Sequence, residues 1–167
     1  MNTYASGTVD GYLYALNPIQ QTFSKLLGPL VGLTSNTAPS GKHVLVTFTA
    51  NNRLVTQIIN TVNGTTQSIP FTALPEKCTW YSSDTFYCGI PASYPNGLYP
   101  DDWYKGVVSF SDVLWSYTIS TQSAVQVAIP PQPIDMFRME SDPATGYLFF
   151  MNKNNYELWS YRVGGTD

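Results

Sequence analysis

A chain of 167 residues with 43% hydrophobic and 14% aromatic residues can bury a sizeable core, whereas 11% charged residues and a net charge of −3 leave no basic stripe for a phosphate backbone. Nucleic acid is therefore not an expected partner, and no apolar run approaches the roughly 18 residues of a membrane span, so no transmembrane segment is expected either. The polar share is mostly Thr, Ser, Asn and Gln, which with Tyr and Val suits pleated, half-buried strand surfaces, and the expected class is all-β.

Taken in order, residues 3–29 read as the close of a repeat. They hold a clipped strand near Thr3, a turn at Asp10-Gly11, strands over 12–16 and 22–27, and stops at Asn17-Pro18 and Gly28-Pro29. The first seven residues lack the basic start and apolar core of a signal peptide, so secretion is not legible at this end. A second repeat, 30–73, has strands expected over 30–34, 43–49, 54–61 and 66–69, punctuated by a loop over 35–42 and the hairpin signal Asn63-Gly64. Within it Val44, Val46 and Phe48 alternate with Leu45 and Thr47, so the first set is expected to face between sheets. A third repeat, 74–129, carries a cysteine hairpin, an aromatic insertion over 91–105, a short run over 107–110, and strands over 113–120 and 124–129. Pro130-Pro131-Gln132-Pro133 then bars further pairing through missing amide donors. The fourth repeat, 134–163, has strands expected over 134–140, 147–151 and 157–163, and the tail over 164–167 is disordered by composition. The 12 prolines and 12 glycines are spread between strands rather than gathered in a linker, so residues 1–167 are expected to form a single domain.

Repetition organises the chain. Leu114-Trp115-Ser116-Tyr117 returns as Leu158-Trp159-Ser160-Tyr161, and comparable strands begin at Leu13 and Leu54. The leading leucines are about 40, 60 and 45 residues apart, and removing about 16 residues of insertion restores the long interval to the period of roughly 40 to 50 that marks four-stranded propeller blades. These residues resemble blades of β-propeller proteins. The pair Lys77-Cys78-Thr79-Trp80 and Tyr99-Pro100-Asp101-Asp102-Trp103-Tyr104 is similar to uncharacterised secreted or membrane-anchored bacterial propellers. Over residues 10–163 the resemblance implies antiparallel four-stranded blades, but no activity, because the fold hosts many functions. No Trp-Asp dipeptide closes a blade, and the Asp-box pattern of sialidases is missing. About three and a half repeats fall short of the roughly four to eight blades of a closed ring. The propeller is thus expected to be incomplete, either part of a longer one or closed by self-association, as a ring-closing dimer or an open stack. Its end sheets would expose Tyr12, Tyr14, Phe149 and Phe150.

Candidate sites are few. Residues 78–88 form a symmetric hairpin in which Cys78 faces Cys88, a pair that either forms a disulfide in an oxidising compartment or stays as two buried thiols. The insertion places Tyr94, Tyr99, Trp103 and Tyr104 beside Asp101 and Asp102 on a long loop. That composition suits stacking on sugar rings or anchoring a peptide, and suits equally well aromatics that fold back over the blade's own apolar face. Asp101, Asp102, Asp135, Glu140 and Asp142 supply acids for glycoside hydrolysis or calcium, but each sits among turn formers and their spacing favours turn or capping duty. His43, the single histidine, has no partner at ligand spacing, so neither a metal site nor a cofactor is expected. No Gly-x-Ser-x-Gly elbow occurs. Asn63-Gly64-Thr65 matches a glycosylation acceptor but reads first as a turn. Trp115 and Trp159, at equivalent places in a repeat, read as packing between blades. The expected role is a non-catalytic scaffold or recognition module outside the cytoplasm that binds protein or carbohydrate through loops. The alternatives are a fragment of a propeller hydrolase acting on glycans and a structural subunit of a polymer.

Overall fold

A computed structural model describes residues 1–164. Four antiparallel sheets follow one another along the chain. The first pairs β1 (Asp10–Asn17) with β2 (Thr22–Val31), and the opening residues run beside β1 through Thr3 N–H to Tyr12 O and Tyr14 N–H to Met1 O. The second is β3 (Thr34–Thr37), β4 (His43–Ala50), β5 (Arg53–Asn60) and β6 (Thr66–Ser68). The third is β7 (Cys78–Trp80), β8 (Thr85–Pro91), β9 (Asp112–Thr118) and β10 (Ser123–Ala128). The fourth is β11 (Met136–Asp142), β12 (Tyr147–Asn152) and β13 (Leu158–Arg162). Each strand pairs with its sequence neighbour, the arrangement that short hairpin connections impose. Helix among the described residues is confined to a 3₁₀ turn, Pro75–Lys77, and one α-helical turn, α1 (Asp101–Tyr104).

The core lies between successive sheets. Leu13 and Leu33 pack on Val44, Val46 and Ile59 between the first and second. Leu45 and Ile58 meet Trp80, Phe86, Ile90 and Tyr117 between the second and third. Leu114 meets Ile134, Met136, Leu148 and Phe150 between the third and fourth. Removing one such side chain from water stabilises the fold by about 1.5–3 kcal/mol. The second sheet is therefore covered on both faces, and the alternation expected in β4 does not separate core from solvent: Val46 and Leu45 are each 0% exposed. Thr47 is buried too, its hydroxyl 2.9 Å from that of Thr56, and both reach the carbonyl of Ala73.

Several boundaries differ from the sequence reading. Gly28-Pro29 does not stop the strand, and β2 continues to Val31. Its register against β1 shifts around Leu13, so the cis Gly28-Pro29 step is absorbed in a bulge, and among the described residues β2 is an edge strand with no ladder partner on its second side for the missing N–H. Gly28 sits at φ +110°, and a Cβ there would stand 2.5 Å from the carbonyl of Gly11. The expected loop over 35–42 shrinks because Thr34–Thr37 pairs with the start of β4. Residues 107–110 belong to the connection between β8 and β9 and form no strand. Phe150 is not on an open face. It is 4% exposed, because Leu148 and Phe150 point into the core while Tyr147, Phe149 and Met151 alternate to the far side. On that far side Phe149 is 38% and Leu158 71% exposed. The tail expected to be disordered falls, beyond Gly164, outside the described residues.

Candidate functional site

The connection between β8 and β9 is the long one, and its composition decides where it goes. Within α1, Asp102 accepts the N–H of Leu98 at 2.7 Å, and Asp101 reaches back to the turn ahead of β1 to accept the N–H of Gly7 at 2.5 Å. Gly7 is required there, because a Cβ would lie 2.7 Å from the carbonyl of Tyr99. With its acids engaged in this way, α1 turns Trp103 inward, where it joins Leu74, Tyr99 and Phe110 in a buried cluster with Tyr94 packed against it. The Tyr94 and Tyr99 rings meet edge to face at 5.6 Å.

Beneath this cluster lies a buried ionic triad. Lys77, at the end of the 3₁₀ turn, places Nζ 2.6 Å from Asp112 Oδ2 and in contact with Asp135 Oδ1, and all three side chains are 0% exposed. The indole of Trp103 donates to both carboxylate oxygens of Asp135, at 3.1 and 3.0 Å, and the N–H of Phe110 donates to Oδ2 at 3.1 Å. Asp112 Oδ2 also accepts the N–H of Met136 at 2.6 Å. The ammonium lies 5.1 Å from the Trp103 ring centre and 4.8 Å from that of Phe110. Burial pushes the Asp112 carboxyl up to about 6 against the pull of Lys77. Its Oδ1 has no hydrogen-bond partner among the described residues. Closed to solvent on every side chain, the triad is suited to fastening strand starts together and not to meeting a substrate.

The β8–β9 connection that holds the insertion reaches toward all four sheets. It contacts Gly7 of the first, faces the β4–β5 turn of the second across a cleft of about 330 Å³ lined by Asn52, Arg53, Tyr94 and Asn96, and hydrogen-bonds Glu76 through Tyr104 at the entry to the third. At the fourth, Ser109 meets Asn154, and Lys153 lies 5.4 Å from the Trp103 ring centre. Burial raises the Tyr94 and Tyr104 phenols above their ordinary range.

The six insertion residues singled out in the sequence are thus brought together but not all presented. Trp103 is 2% and Tyr99 7% exposed, whereas Tyr104 is 40% exposed. The Tyr94 hydroxyl donates to Thr72 O and the Tyr99 hydroxyl to Pro95 O. Asp142 caps its own turn through Ala144 and Thr145, and Glu140 lies exposed on β11, so neither joins Asp135. His43 Nδ1 sits 3.1 Å from Ser83 O. Cys78 and Cys88 stand opposite each other in the β7–β8 register and are joined by a disulfide. The triad is not legible in the sequence: Lys77 stands out only within its Lys-Cys-x-Trp run, and the neighbours of Asp135 point to turn duty. The one available signal is a charge set between apolar residues, Ile134-Asp135-Met136; Lys77 follows Glu76 and Asp112 follows Ser111, so neither carries it.

Solved structures share this architecture. The chain superposes on TolB from Acinetobacter baumannii with a TM-score of 0.64 at 11% identity, covering 98% of this chain and 38% of that one. It also superposes on the tricorn protease with a TM-score of 0.57 at 11% identity, covering 88% of this chain and 13% of that one. The fold is that of part of a β-propeller, built of antiparallel sheets of up to four strands. The chain spans well under half the length of either structure. It matches no protein-family model and no curated protein.

Proposed function

We propose that this partial propeller is a non-catalytic recognition module that works outside the cytoplasm and meets a protein or carbohydrate through the loop end occupied by the insertion. The carrying observation is the division of labour within the β8–β9 connection that holds this insertion. Tyr99, Trp103 and Phe110 are buried and fix its course, while Leu98 at 39%, Tyr104 at 40% and Val107 at 70% exposure are held on its outside. A loop whose inner half is locked presents its outer half without an ordering cost on binding. Tyr94, Tyr99, Asp101, Asp102, Trp103 and Tyr104 thereby act together, four of them shaping the surface and Tyr94 and Tyr104 lying at its edge. The Cys78–Cys88 disulfide supports an oxidising compartment. Glycan and peptide arrays probed with the whole chain test the reading. Binding that is lost in a Leu98→Asp/Tyr104→Ala double variant with unchanged thermal unfolding is expected; binding indifferent to that change, or no binding on either array, overturns it.

A further inference from the structure

The cleft between the β4–β5 turn and the insertion carries a more specific reading. Its walls are Asn52, Arg53 and Leu54 on one side and Tyr94, Pro95, Asn96 and Gly97 on the other, with Thr72 at the base. A second hollow of about 220 Å³ adjoins it, sharing Asn52, Arg53, Leu54, Gly97 and Tyr99 and adding Gly7, Thr49 and Leu98. Arg53 lines both, and no acidic side chain lines either. Among the described residues no carboxylate pairs directly with Arg53, and Asp101 and Asp102, which lie behind the lining residues Gly7 and Leu98, are engaged by the N–H groups of those two residues. The amides of Asn52 and Asn96 likewise have no side-chain hydrogen bond within the protein among the described residues, whereas the neighbouring tyrosine hydroxyls are already engaged. Three exposed polar residues with no side-chain partner among the described residues thus line one space, and two of them belong to a tight turn whose Asn51 and Asn52 sit at φ 50° and 59°.

We infer that this cleft binds a carboxylate-bearing sugar, a uronic acid unit of an acidic polysaccharide, with Arg53 as the anchor of its carboxylate; the inference rests on the recognition reading above and narrows it. The guanidinium fork matches a carboxylate in a two-bond geometry. Asn52, Asn96, Thr72 and Thr49 offer the alternating donors and acceptors that ring hydroxyls require. About 330 Å³ is at the small end of ligand pockets and accommodates a sugar unit. Leu54, Pro95 and the tyrosine rings can carry the C–H face of a sugar ring as well as a peptide side chain, so the choice of the sugar rests on the polar groups of Asn52, Asn96, Thr72 and Thr49.

Calorimetric titration of the whole chain with a galacturonic acid trimer tests the inference, beside a carboxyl-reduced galactose trimer and a tripeptide with a free C-terminus. The acidic trimer is expected to bind, at least about tenfold more weakly in Arg53→Gln, the weight of one charge-assisted hydrogen bond, and more weakly as salt rises. Because Arg53 is exposed, thermal unfolding of Arg53→Gln is expected to match the parent and Arg53→Lys to recover part of the affinity. Equal binding of the reduced trimer, binding that Arg53→Gln leaves intact, or binding of the tripeptide in place of the acidic trimer overturns it. If the acidic trimer fails to bind while another ligand is still captured through Leu98 and Tyr104, this inference fails and the broader recognition reading stands. If no ligand binds at all, both fail.

Discussion

At the residue scale, the decisive feature is a lysine that has left water. A buried cation is tolerable when its partners are charged and hydrogen-bonded, and Lys77 has both Asp112 and Asp135. Removing it would leave two carboxylates in a dry space. Lys77→Met is therefore expected to destabilise the chain by about 3–5 kcal/mol, read from urea denaturation, and a loss below about 1 kcal/mol would show that the triad contributes little. A pH dependence follows from Asp112. Its folded-state pKa of about 6 lies above the ordinary value of 3.8, so between those values the folded chain holds a proton that the unfolded chain has lost. This group's stabilising contribution is complete below about pH 4 and disappears as pH rises through 6, a change on the order of 3 kcal/mol. Denaturation midpoints of the parent should fall across that window relative to those of Asp112→Asn, and parallel profiles would remove Asp112 as the cause. Neither aspartate could have been paired with Lys77 by reading the sequence. Their separation along the chain is set by the insertion and by the Pro130–Pro133 turn, and only packing brings the three together.

At the element scale, local chemistry was legible and reach was not. The cysteine hairpin follows from the symmetry of residues 78–88 about Ser83, because strand pairing puts residues equidistant from a turn opposite one another. The repeated Leu-Trp-Ser-Tyr marks real strands, but its two copies meet different surroundings: Leu114 is 1% and Leu158 71% exposed. The difference is not in the letters. Leu114 faces the fourth sheet, whereas Leu158 lies opposite Met151 on the far side of the last one. Gly28-Pro29 misled as a stop signal because an edge strand with a bulge tolerates what an inner strand would not. The disulfide closes a short loop within one sheet, so its reduction is expected to cost about 2–3 kcal/mol in the chain-entropy model without unfolding the chain. Thermal unfolding with and without a phosphine reductant measures it, and complete loss of structure on reduction would show that the bridge does more than brace a hairpin.

At the scale of the whole molecule, the two end sheets carry uncovered faces of matching character. On the first, Leu16 is 53% and Phe23 60% exposed, beside Tyr14 and Lys25. On the last, Phe149 and Leu158 are exposed beside Glu140, Asp142 and Arg162. Apolar patches of this kind are usually covered, and their presence on both the first and the last sheet favours head-to-tail contact. The 167-residue chain is expected to self-associate at micromolar concentration, as a two-chain ring or an open stack, and Phe23→Asp or Leu158→Asp should dissolve the contact. Light scattering that reports a monomer for the parent would sink this expectation.

The bond from Asp101 to Gly7 carries a consequence of its own. Repeat arrays are commonly treated as a line of units in which each feels only the next, so that a weak terminal unit melts by itself. Here the insertion of the third sheet grips the first directly, over the head of the second. Such a bond turns the line into a loop of dependencies, and a terminal sheet can no longer come loose unless the insertion also lets go. The four tryptophans, Trp80, Trp103, Trp115 and Trp159, all belong to the third and fourth repeats, so their fluorescence reports one half of the chain while far-ultraviolet dichroism reports the whole. Urea curves from the two probes should coincide in the parent and draw apart in Asp101→Ala, where the first sheet regains its independence. Curves that separate already in the parent would show that the chain is read correctly as a line.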